Sequence, residues 1–147
     1  MRPLVLLAVV LTGCAAIPAA PAAPPSPEPV VLLLKAEARG GLCVTGTTCE
    51  SSITVLSDGT WTALGNGGTR SGTLPGGRVA ALADAVAQTG LAEAPPFTGT
   101  CPIAYGQEQV LTWLEAGAQV SVASCEREFD PDDPLVAAAA ELSTELG

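Results

Sequence analysis

The chain contains no histidine and only 6 basic residues against 15 acidic ones over 147 residues, with Lys35 as its one lysine. The commonest general base at neutral pH and the commonest zinc ligand are therefore both missing. A net charge of -9 sets the chain against phosphate backbones, so nucleic acid is not expected as a partner. Aromatic residues make up 3% of the chain (Trp61, Trp113, Tyr105, Phe97 and Phe129), so a core has to be assembled from Leu, Val, Ile and Ala. The N-terminal apolar run, Leu4 to Leu11, is too short to cross about 30 Å of hydrocarbon with margin.

That run has the form of an export leader. Arg2 supplies a positive start, the apolar stretch follows, and Leu11-Thr12-Gly13-Cys14 closes it. The closing tetrapeptide resembles the lipobox of bacterial lipoproteins, in which a leucine and two small residues precede a cysteine. The resemblance implies a diacylglyceryl group on the Cys14 thiol, removal of residues 1–13, and palmitate-type acylation of the new amine. Each buried methylene contributes about 0.8 kcal/mol, and two or three chains pass the marginal anchoring given by one. The expected partner of Cys14 is thus a lipid bilayer, with the rest of the chain on the extracytoplasmic side of a cell membrane or outer membrane.

Residues 14–29 read as a tether. Pro18, Pro21, Pro24, Pro25, Pro27 and Pro29 alternate with alanines, a composition that favours polyproline II. At about 3.1 Å per residue it would hold the following domain roughly 45 Å from the bilayer. Residues 30–147 are expected to form one domain. Val30 to Arg39 reads as a strand, buried on both faces at first and then amphipathic, with Lys35, Glu37 and Arg39 on one face and Ala36 and Ala38 on the other. Gly40-Gly41 ends it. Ser51 to Leu56 is a second strand, and Asp58-Gly59 turns it into a third beginning at Thr60. Gly65 to Gly72 reads as a glycine-dense loop or weak strand.

Over Gly77 to Thr89 the apolar period becomes helical through Val79, Leu82 and Val86, with Gly90 at the expected C-cap. Gln109 to Glu115 and Gln119 to Ser124 form a hairpin about Ala116-Gly117-Ala118. Asp133 and Pro134 begin a last helix whose apolar stripe is Leu135, Ala138, Ala139, Leu142 and Leu146. The expected class is α+β, an antiparallel sheet of four to five strands with two helices packed on one face and two disulfides.

With Cys14 assigned to lipid, Cys43, Cys49, Cys101 and Cys125 remain, and four thiols permit three pairings. Locality in the chain favours Cys43–Cys49 and Cys101–Cys125, closing loops that stabilise by about 2.4 and 3.5 kcal/mol. The second hairpin would put Cys125 opposite residue 108 or 109, so the segment after Cys101 must fold back to bring the pair together. Four-thiol zinc binding is the alternative, but neither pair has the usual spacing and the compartment is oxidising, so no metal is expected.

Catalytic constellations are scarce. The acidic residues Glu126, Glu128, Asp130, Asp132 and Asp133 lack the spacing of a calcium loop and read as a solvated strand edge with favourable charge at the last helix's N-terminus. Gly65-Asn66-Gly67-Gly68 is not followed by the Gly-Lys-Ser/Thr of a phosphate loop. Serines and threonines have no evident activating base, so the chain is expected to be no enzyme and to need no cofactor. Thr100-Cys101-Pro102-Ile103-Ala104-Tyr105 is the most distinctive segment, because a proline-containing loop held by a disulfide presents side chains at low entropic cost. It resembles the reactive loop of the Streptomyces subtilisin inhibitor family, Cys-Pro-x-x-Tyr followed by a hairpin and a partner cysteine. The resemblance covers about 25 residues and implies Pro102, Ile103, Ala104 and Tyr105 as a partner-binding loop, with Ile103 in a protease's primary pocket. That family bridges a strand to its helix, whereas Cys43 and Cys49 here both precede the helix. The whole domain also looks like uncharacterised exported bacterial domains with a strand, a cysteine pair, an Asp-Gly hairpin, a helix and a final hairpin plus helix. The leading expectation is a non-enzymatic envelope lipoprotein that binds or scaffolds another envelope protein; the alternative is a serine-protease inhibitor.

Overall fold

The structure, a computed structural model, describes residues 28–41, 50–101 and 107–146. It is α+β, with one antiparallel sheet of six strands and two α-helices. In chain order the elements are β1 (Leu32–Arg39), β2 (Ser51–Leu56), β3 (Thr60–Gly65), β4 (Gly68–Thr73), α1 (Gly76–Gln88), a 3-10 turn (Leu91–Glu93), β5 (Glu108–Glu115), β6 (Ala118–Ala123) and α2 (Pro134–Leu146). The strands lie in the order β4-β3-β2-β1-β5-β6. β1, from the start of the domain, is central: Leu34 faces Val55 on one side and Trp113 on the other.

Alternation along each strand separates the two faces. Leu34 and Ala36, Ile53 and Val55, Ala63, Leu111 and Trp113, and Val122 point to one side and are buried. Leu82 of α1 and Leu135, Ala139 and Leu142 of α2 complete the same core, so both helices cover that face. The opposite face carries Lys35, Glu37 and Arg39, with Thr54, Thr62 and Ser71 in a cross-strand row beside Lys35. Thr112, on this second face, is also buried, its hydroxyl paired with that of Ser121 at 2.9 Å.

Six strands replace the expected four to five because the glycine-dense stretch is a hairpin arm. Asn66-Gly67 is a two-residue turn, closed by the pair Gly65 and Gly68, and β4 lies against β3 through Thr73. The weak β-propensity of Gly-Thr-Arg-Ser-Gly-Thr hid a strand that cross-strand pairing creates. The second hairpin turns on Ala116-Gly117 alone, since Glu115 pairs with Ala118. Gly90 does not end α1: Thr89 is the C-cap, and Gly90, at φ -102, precedes the 3-10 turn. The first strand begins at Leu32, after an exposed Val30 and Val31. β6 ends at Ala123, so Glu126 and Glu128 lie in the following turn and loop rather than on a strand edge.

Asp133 caps α2 as expected. Its Oδ1 accepts the N–H groups of Leu135 at 2.9 Å and Val136 at 3.3 Å. The same carboxylate also accepts from the Thr89 hydroxyl at 2.9 Å and the Gly90 N–H at 3.0 Å, which fastens the end of α1 to the start of α2. On the solvent side Arg78 of α1 pairs with Glu141 and Glu145 of α2 at 3.4 and 2.9 Å.

Candidate functional site

Side-chain size falls along the sheet. At one end the core side chains are Leu34, Val55, Trp113, Leu91 and Leu135, all within 1% of complete burial. At the other, where β1 and β3 end and β2 and β5 begin, the inward residues include Ala36, Ala38 and Ala63, and α2 opposes them with Ala139, Ala140 and Ser143. Among the described residues, short side chains on both the sheet and the facing helix leave space between them. The result is a groove of about 790 Å³, floored by Ala36, Ile53, Ala63 and Leu111, walled by α2, and rimmed by Ser51, Gln109 and the Asn66-Gly67 turn. The Ser143 hydroxyl donates to the Ala139 carbonyl at 2.8 Å, so that wall is apolar where it faces the floor.

Among the described residues, the ionisable ones bordering the groove are Glu37 and Arg70. Glu37 lies between Lys35 at 3.1 Å and Arg39 at 2.9 Å, and Arg70 donates to the Leu146 carbonyl at the end of α2. Arg127 donates to the Ala94 carbonyl at 2.8 Å. The bases of the described residues are thus all engaged within the protein. The groove offers shape and apolar contact rather than a charged centre.

Cys101 and Cys125 are joined as a disulfide with Cα atoms 5.3 Å apart, within the usual range. Glu115 faces Ala118, which sets Cys125 level with Glu108, and the bridge places Cys101 beside that level. The Phe97 N–H donates to the Glu126 carbonyl and the Glu128 N–H to the Pro95 carbonyl, so this return segment is fixed beside the turn that carries Cys125. A Glu108 carboxylate oxygen and the two sulfurs lie within 4.8 Å of one another, but sulfurs bonded to each other are not thiolate ligands. Of the other residues singled out in the sequence, Cys14, Cys43, Cys49, Pro102, Ile103, Ala104 and Tyr105 lie outside the described residues. The second expected disulfide therefore falls there too.

The groove itself was not anticipated. Its only sequence signal is the excess of alanine at inward positions of β1, β3 and α2, and that becomes visible only once these elements are known to face one another. Among the described residues no helix is long and apolar enough to cross a membrane. No family model, curated protein or solved structure matches the chain.

Proposed function

We propose that the protein is a lipid-anchored, extracytoplasmic binding module, held to its membrane through Cys14 and engaging an envelope protein without catalysing a reaction on it. The observation that carries the binding role is the groove between α2 and the alanine-rich end of the sheet. An open apolar cleft of this size with a few polar groups at its rim is the usual form of a recognition site. A partner would insert an apolar side chain or short apolar segment over Ile53 and Leu111, with Gln109 and Ser51 orienting its backbone. The leader ending at Cys14 and the proline-rich stretch before the domain support the anchored, exported setting.

The test is site-specific photocrosslinking in intact cells. A photoreactive residue at Ser143, in the groove wall, is expected to form a discrete adduct with an envelope protein, while the same residue at Thr62, on the opposite face, forms none. Equal labelling from both positions, or none from either, would remove the groove from the account.

The Cys101–Cys125 disulfide favours a second reading, in which the segment after Cys101 acts as a serine-protease inhibitor loop. Stoichiometric inhibition in a panel of serine proteases, lost in Ile103→Gly, is expected if so; no inhibition at micromolar protein rejects it.

A further inference from the structure

β4 is an open sheet edge. Each of its residues is exposed, and among the described residues no strand pairs with its outer side. The Leu74 N–H donates to the Gly59 carbonyl at 2.9 Å, and Gly65 and Gly68 close the two-residue turn. Bonded pairs alternate between those limits, so Gly68, Arg70 and Gly72 direct their N–H and C=O groups to β3, while Thr69, Ser71 and Thr73 direct theirs outward. Of the usual devices that blunt an edge, β4 carries no lysine, no proline and no register shift against β3, and its one charge, Arg70, is on the helix side and bonded to the end of α2. The opposite edge differs, because the Pro95–Phe97 stretch pairs with Glu126 and Glu128 where β6 gives out.

We infer that β4 is a self-association surface that pairs antiparallel with β4 of a second copy about a two-fold axis at Ser71. The occupant follows from the strand's symmetry. Its outward residues read Thr-x-Ser-x-Thr centred on Ser71, so the two-fold pairs Ser71 with the second Ser71 and Thr69 with the second Thr73. Every outward N–H and C=O then finds a partner, and hydroxyl side chains face one another on the helix-free surface. On the helix side each Arg70 stands opposite a Gly72, which has no side chain to collide with it. A Cβ on Gly72 would lie 2.8 Å from the Trp61 ring, so the strand is kept bare there by the packing of β3. Arg70 is the strand's only charge, and its guanidinium is drawn over the carbonyl end of its own α2, where the helix dipole is negative. The other copy's Arg70 therefore meets no unscreened like charge. The contact is small, which places it among weak and transient associations, and two chains of charge -9 should associate more tightly as salt rises.

Sedimentation of the purified full chain, up to about 1 mM to reach weak association, is expected to show a reversible monomer–dimer equilibrium strengthened by salt. Ser71→Pro removes one outward donor without breaking the bonds to β3 and should weaken it at least about tenfold. Ser71→Cys should form a covalent dimer under mild oxidation, because bonded antiparallel pairs sit about 5.5 Å apart at Cα, inside the disulfide range. Thr62→Cys, one strand further in and about 14 Å from its counterpart, should not. A chain that stays monomeric throughout, a dimer unaffected by Ser71→Pro, or cross-linking no better at 71 than at 62 would overturn the proposal. Should Ser71→Pro fail to fold, the cysteine pair decides.

Discussion

Two turns show how single residues shape this domain. Asp58 accepts the Thr60 N–H at 2.9 Å and its hydroxyl at 2.7 Å, and Gly59 takes φ 85 with Val79 and the Leu74 carbonyl packed where a Cβ would stand. The Thr60 hydroxyl and N–H hold the Asp58 carboxyl below its ordinary 3.8. The ionised form is therefore favoured by folding, and its contribution is present at neutral pH and lost as pH falls through the lowered value. Asp58→Ala should lower the melting temperature at pH 7, and the gap from the parent protein should close in acid below the ordinary carboxylate range. A gap that widens in acid would contradict this. In the second hairpin Ala116 occupies φ 49 ahead of Gly117 at φ 81, the left-handed pair of a type I′ turn. Alanine is costly at the first of these positions, where asparagine is favoured. Ala116→Asn should add about 1 kcal/mol of stability, read as a higher urea midpoint at unchanged slope.

At the scale of elements, Asp133 links the two helices. Asp133→Ala removes the cap of α2 and leaves the Thr89 hydroxyl and Gly90 N–H without their acceptor, so a loss of about 2 kcal/mol is expected in chemical denaturation. A change within a few tenths would show that the carboxylate caps nothing of consequence. The cap on α2 was legible in Asp133-Pro134, and the long-range contact to Thr89 was not, because it depends on the chain from Gly90 to Asp132 returning to the same place. Elements with strong local signals were readable in the same way: the Ser51–Leu56 strand, the Asp58-Gly59 hairpin and the stripe of α2 all appear where periodicity put them. The sequence of β4 carries only the signal of a loop or weak strand, since glycines and small polar residues have little preference of their own and pairing with β3 makes the strand. The groove was invisible for a related reason: it is the gap between short side chains on elements distant in sequence.

Among the described residues one sheet carries a core that is dense at one end and open at the other, with a disulfide fastening the chain before β5 to the chain after β6. Replacing Cys101 and Cys125 together by Ser should cost about 3.5 kcal/mol, from the loop the bridge closes, measured by reversible denaturation against the disulfide-bonded parent. Loss of less than 1 kcal/mol would mean that the return segment is held by Pro95 and Phe97 alone. The anchored, extracytoplasmic setting proposed for the domain is more consequential, since it determines which partners the groove and the β4 edge can meet. Intact-mass spectrometry of the protein purified from its native membrane, with and without thiol alkylation, tests that setting most directly. The expected species starts at Cys14, carries a diacylglyceryl group and a further acyl chain, and takes up no alkylating reagent before reduction. A chain that retains residues 1–13, or one with an unmodified Cys14 and alkylatable thiols at Cys101 and Cys125, would contradict it.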